Sequence, residues 1–127
     1  MKFCLVADDS DVIRRIARRI IEGLGYIVVD ADSEEAAFAI CSKGVPQLIL
    51  LDWRLPDGDT HTLVRKIRAL KSEEPVHIIY CATEADPVDI NDAFEAGISG
   101  YVLKPFDRES LFERILSCTN PLAAARV

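Results

Sequence analysis

Five short, unbroken apolar runs, separated by stretches of helical period, constrain this chain more than any other feature. The runs are FCLVA (3–7), YIVV (26–29), QLILL (47–51), VHIIYCA (76–82) and GYVL (100–103). A strand covered on both faces shows no polar alternation, so runs of this length predict five strands buried on both sides. His77 is a polar interruption in the fourth. Between the runs, apolar residues recur every three to four positions. Val12, Ile13, Ile16, Ala17, Ile20, Ile21 and Leu24 trace one face of a helix, with Arg14, Arg15, Arg18, Arg19 and Glu22 opposite. Ala36, Ala37, Ile40 and Cys41 mark a second helix, closed by Gly44. Leu63, Val64, Ile67 and Leu70 mark a third. Ile90, Ala93 and Phe94 mark a fourth, with Asp86 as N-cap, Pro87 at its first position and Gly97 after its end. Leu111, Phe112, Ile115 and Leu116 mark a fifth, capped by Asp107. Gly23 and Gly25 bracket the end of the first.

Strand followed by helix, about five times over, predicts an α/β fold. It is a doubly wound five-stranded parallel sheet flanked by five helices, with right-handed crossovers. The length of 127 residues suits one domain. A net charge of −6 argues against binding nucleic acid through the overall field. No apolar run approaches the ~20 residues needed to span a bilayer. The N-terminus MKFCLVADDS meets two aspartates too early for a signal peptide. Cys4, Cys41, Cys81 and Cys118 have neither metal-type nor disulfide-framework spacing. A cytoplasmic protein, with neither DNA nor membrane as partner, is expected.

Parallel sheets of this kind place their sites at the carboxyl ends of the strands. Asp8 and Asp9 follow the first run and Asp52 ends the third. Ala82, Thr83 and Glu84 follow the fourth, Lys104 and Pro105 the fifth. Three carboxylates and one lysine therefore converge on one edge. Packed carboxylates resist ionisation together, and a hard divalent cation such as Mg²⁺ relieves them. Lysine suits a phosphoryl oxygen. Those are the parts of phosphoryl transfer: a nucleophile, charge neutralisation and a clamp. Any one such aspartate is more often a helix cap or loop residue, and Asp8 and Asp9 could simply flank a cap at Ser10. The conjunction at one sheet edge outweighs that reading. Neither GxxxxGK[ST] nor GxGxxG occurs, which disfavours nucleotide hydrolysis and dinucleotide binding.

The segments VADDS (6–10), LLDWRLPDGD (50–59), CATEAD (81–86) and GYVLKPF (100–106) resemble the receiver domain of bacterial two-component response regulators, of the single-domain chemotaxis type. The resemblance spans about residues 2 to 118. It implies a receiver domain over 1–118 and a C-terminal tail over 119–127, with no effector domain. It implies that Asp52 accepts a phosphoryl group from a histidine kinase or histidine phosphotransfer protein, the chain catalysing only its own phosphorylation and dephosphorylation. Mg²⁺ would be held by Asp9, Asp52 and the backbone carbonyl of Arg54, with Asp8 acting through water. Lys104 would pair with the phosphoryl group, the Lys104–Pro105 peptide would be cis, and Tyr101 would move between exposed and buried positions. Output would pass to a downstream protein through the face of the fourth helix, fifth strand and fifth helix, presenting Asn91, Glu95, Tyr101 and Arg108. Arg54 and Glu84, two residues after Asp52 and Ala82, would flank the phosphoryl group and set its lifetime, pairing across the site.

Two positions depart from the family pattern. The hydroxyl residue usual 22 positions before the lysine is Ala82 here, with Thr83 one place late. Ala82, Thr83 and Tyr101 are thus the residues on which the switch depends. The glycine usual at the start of the third helix is Thr60, which implies an altered turn or a threonine cap. Three other readings compete. The first is a degenerate receiver that binds partners without phosphorylation. The second is a cyclic-dinucleotide or nucleic-acid binder using Arg14, Arg15, Arg18 and Arg19. The third is a phosphatase-type hydrolase, which would want an acid where Arg54 stands.

Overall fold

A computed structural model describes residues 2–120. Strands and helices alternate throughout them: β1 (Phe3–Ala7), α1 (Asp11–Glu22), β2 (Ile27–Ala31), α2 (Glu34–Lys43), β3 (Leu48–Asp52), α3 (Thr60–Arg68), β4 (His77–Ala82), α4 (Pro87–Ala96), β5 (Gly100–Leu103) and α5 (Arg108–Thr119). These five strands are parallel, in the order β2-β1-β3-β4-β5. The doubly wound α/β sheet predicted from the apolar pattern is therefore the fold. The order reverses between β1 and β3, the switch point beside which open α/β sheets place their sites at the strands' carboxyl ends.

Two apolar layers cover the sheet. Leu5, Ile49, Leu51, Ile78 and Tyr80 point to the side built with Leu63, Val64 and Ile67 of α3 and Ala93 of α4. Cys4, Val6, Leu50, Ile79 and Cys81 point to the side of α1 and α5, against Ala17, Ile21, Leu111 and Ile115. Because β1, β3 and β4 are covered on both faces, their sequences are apolar apart from Asp52 at the end of β3 and His77 at the start of β4. The expectation of two buried faces fails for β2 and β5. Both are edge strands, and Ile27, Val29 and Leu103 are exposed. The apolar stripe of α1 also exceeds what the core takes up, since Val12 and Ile16 stay exposed.

The caps follow local chemistry. Ser10, Ser33, Asp59, Asp86 and Asp107 each accept a backbone N–H of the first turn of the helix they precede. Gly97 stops α4 at φ +125°, a conformation that side-chain-bearing residues rarely adopt. A threonine cap for α3 is corrected: Asp59 is the cap, and Thr60 is the first helical residue. Thr60 is buried, and its Oγ1 accepts the N–H of Leu55 at 3.5 Å. That hydroxyl closes the turn after Asp52. At the other end, Thr119 belongs to α5 and Asn120 is its cap. The rest of the expected tail, 121–127, lies outside the described residues.

Candidate functional site

β1 hands directly to Asp8 and Asp9. The N–H of Asp8 donates to the carbonyl of Ala31, continuing the ladder, and Arg14 Nη1 donates to the carbonyl of Asp8 at 2.6 Å. Asp8 is almost fully buried, and its Oδ1 accepts the N–H of Ser10 at 2.9 Å. Asp9 is exposed. Asp52 is the last residue of β3 and is 6% exposed, its Oδ1 accepting the N–H of Arg54 at 3.4 Å. Lys104 follows β5, where its N–H donates to the carbonyl of Ala82, and the Lys104–Pro105 peptide is cis.

The side chains converge as the topology requires. Lys104 Nζ donates to Asp8 Oδ2 at 2.7 Å and lies 3.3 Å from Asp52 Oδ1. Oxygens of Asp8, Asp9 and Asp52 lie within 4.8 Å of one another. Burial, and then the neighbouring charge of Asp8, push the Asp52 carboxyl above the usual carboxylate range, with Lys104 opposing. Burial alone would lower Lys104. The hydrogen bond to Asp8 and the charges of Asp52 and Asp8 outweigh it, so its ammonium is held more firmly than usual. A cluster of three hard oxygen donors, with one acid pushed upward by another, fits a small divalent cation. Asp8 is already engaged by Ser10 and Lys104, whereas Asp9 stands open beside Asp52.

The other expected site residues are placed as follows. Ala82 ends β4, fully buried, and Thr83 and Glu84 are exposed. The Arg54 guanidinium lies 4.4 Å from the centroid of the Trp53 ring, and no ion pair joins Arg54 to Glu84 among the described residues. Tyr101 is half-buried on the α2–α4 side, with the Arg114 guanidinium 5.9 Å from its ring centroid. The arginine row on α1 is not a free clamp. Arg14 pairs with Asp11 and Asp30, and Arg18 pairs with Asp30 and Glu22 and donates to the carbonyl of Val28.

One contact near the site is not marked by the pattern along the chain. Tyr80 lies inside an apolar run and reads there as strand core. Its hydroxyl shares a 2.7 Å hydrogen bond with Nδ1 of His61. The available signal is the phenol itself, because a buried tyrosine hydroxyl needs a partner.

With this geometry in place, comparison with known proteins is decisive. The sequence model of the response regulator receiver domain matches residues 4–116. The chain belongs to that family. Curated relatives of this receiver include a chemotaxis protein CheY homolog of Campylobacter jejuni, 34% identical over 113 residues that span 87% of each chain. Chemotaxis protein CheY1 of Helicobacter pylori is 32% identical, covering 87% of this receiver and 91% of its own length. Among solved structures, the chemotaxis response regulator CheY4 of Vibrio cholerae superposes with a TM-score of 0.86 at 25% identity, covering 93% of this chain and 98% of that one. These relatives belong to bacteria; the receiver is similar to the first two in sequence and to the third in fold.

Proposed function

We propose that this receiver is a phospho-accepting switch of a two-component phosphorelay, with Asp52 as the acceptor. The observation that carries the reading is the position of Lys104 Nζ, between the buried carboxylates of Asp8 and Asp52. An oxygen of Asp52 attacks the phosphorus of a phosphohistidine on a histidine kinase or phosphotransfer protein. The O–P bond forms, the P–N bond breaks, and the imidazole leaves and takes up a proton. Lys104 would neutralise the transferred group. Asp9, Asp52 and the Arg54 carbonyl would hold Mg²⁺, with Asp8 through water, and the ion supplies charge neutralisation when bound. The chemistry proposed for the chain is its own phosphorylation and dephosphorylation.

The test is treatment with acetyl phosphate and Mg²⁺, read by intact mass. One phosphoryl group is expected on the unsubstituted protein and none on Asp52→Asn or after chelation. A gain that persists in either control sinks the assignment.

Output is assigned to the α4–β5–α5 face. An open groove of about 1030 Å³ lies along β5 and α5, lined by Tyr101, Leu103, Phe106, Glu113, Arg114 and Leu116. Asn91 and Glu95 are exposed on α4 and Arg108 on α5. The downstream partner is a protein rather than DNA or a membrane. Residues 1–118 act as one signalling domain in the cytoplasm. Among the described residues no helix is long and apolar enough to cross a membrane.

The exposed side chains of Arg54 and Glu84 are assigned the lifetime of the phosphorylated state. Arg54 would have to leave the Trp53 ring to reach across the site, a modest cost for an exposed cation–π contact of ~0.5–1 kcal/mol. Arg54→Ala and Glu84→Ala should each change the dephosphorylation rate by more than about twofold, an energy within the range of an exposed charge pair. Rates within that margin for both variants would remove the gate.

A further inference from the structure

Tyr80 stands on β4 two residues before Ala82, so both side chains face the α2–α4 side. It is fully buried, and its hydroxyl bonds His61 while the two rings stack with centroids 5.7 Å apart. His61 is the second residue of α3, the helix that begins where the loop after Asp52 ends. That loop is tied to the helix twice. Leu55 N–H donates to Thr60 Oγ1, and His61 N–H donates to Asp59 Oδ1 at 3.1 Å. On its other side, Tyr80 is the ladder partner of Tyr101 in parallel β5, and both rings belong to the same apolar layer. A chain of hydrogen bonds and ring contact therefore runs from Asp52 through the loop and His61 to Tyr80, which pairs with Tyr101 through the strand register. Ala82 carries no hydroxyl that could make a shorter link.

We propose that the hydrogen bond between His61 and Tyr80 couples the loop after Asp52 to Tyr101. A phosphoryl group on Asp52 rearranges the loop and shifts the first turn of α3. His61 carries Tyr80 with it, and Tyr80 repacks against Tyr101. His61 and Tyr80 are positioning residues that never touch the phosphoryl group. The inference rests on the phospho-accepting role of Asp52. If the pair merely satisfies a buried hydroxyl, its loss lowers stability and leaves the Tyr101 response whole.

The chain has three tyrosines, Tyr26, Tyr80 and Tyr101, so 3-fluorotyrosine labelling gives three assignable ¹⁹F signals. Spectra are taken before and after acetyl phosphate with Mg²⁺, with intact mass and thermal melts on the same samples. The Tyr101 signal of the unsubstituted protein should move on phosphorylation. In Tyr80→Phe and His61→Phe that movement should shrink by about fivefold at equal phosphorylation. His61→Asn, whose amide can occupy the place of Nδ1, should restore most of it. An undiminished movement in phosphorylated Tyr80→Phe or His61→Phe overturns the proposal, as does a loss that His61→Asn shares. A mass gain without any Tyr101 movement in the unsubstituted protein defeats the coupling alone. No mass gain at all removes the phospho-accepting reading, and the coupling with it.

Discussion

Lys104→Met should destabilise the metal-free protein by about 2 kcal/mol, roughly 6–10 °C in melting temperature for a domain of this size. The side chains of Asp8 and Asp52 are 3% and 7% exposed, and Lys104 is the one cation among the described residues that is placed against both. Removing one partner of a buried pair commonly costs ~3–5 kcal/mol, because the remaining charge is left uncompensated. The smaller figure applies here because one carboxyl can take up a proton instead. Burial and the Asp8 charge already push Asp52 in that direction.

Asp52→Asn should act with the opposite sign. A carboxyl held above its ordinary range is one whose charged form folding disfavours, so a neutral isostere stabilises the fold at neutral pH. The expected result is a gain in melting temperature. It is limited by the loss of the Lys104 contact, although Lys104 keeps its bond to Asp8. Mg²⁺ should raise the melting temperature of the unsubstituted protein and recover part of the Lys104→Met loss. Its effect on Asp52→Asn should be smaller. Thermal unfolding with and without Mg²⁺ measures all of these. A metal-free Lys104→Met protein that melts at or above the unsubstituted one would show that the lysine does not hold the acids together.

Ala82→Thr should enlarge the response of Tyr101 to phosphorylation. Ala82 is fully buried at the end of β4, and its carbonyl receives the N–H of Lys104 at 2.8 Å. A hydroxyl there would sit beside the Asp52 cluster and could donate to a phosphoryl oxygen. A charge-assisted hydrogen bond contributes roughly 1.5–3 kcal/mol. Inverting a two-state population from 1:99 to 99:1 takes about 5.5 kcal/mol, so one such contact can supply a substantial share. Thr83 is exposed and lies in the bend that follows Ala82, the last residue of β4. Thr83→Ala should therefore leave the response unchanged. The measurement is the Tyr101 signal in both variants before and after phosphorylation. A full response in the unsubstituted protein that disappears in Thr83→Ala would assign the switch to the displaced hydroxyl.

The acids at the ends of β1 and β3 are legible in the amino-acid pattern, and for a simple reason. Strands covered on both faces must be apolar throughout, so the point where FCLVA meets Asp8 and Asp9, or where LILL meets Asp52, marks a strand leaving the core. Caps are legible for the same kind of reason. Asp86 before Pro87 and Asp107 before α5 satisfy orphan N–H groups within a few residues of themselves. The edge positions of β2 and β5 are not legible, because an apolar run reports burial and says nothing of which strands flank it.

Sequence alone determined the alternation of elements, the doubly wound sheet and the edge on which Asp8, Asp9, Asp52 and Lys104 meet. Each of those follows from local periodicity and from connection rules that hold for any such chain. Tertiary structure decided the pairings. It placed Lys104 Nζ on Asp8, laid Arg54 over Trp53 and tied up Arg14 and Arg18 against Asp30. It made Thr60 a buried clasp rather than a cap, and it joined Tyr80 to His61. Such contacts depend on distances and directions between side chains on separate elements. A pattern along the chain marks which stretch or face of an element is apolar, and only the packed layers set how far it is buried and which polar atom each residue reaches.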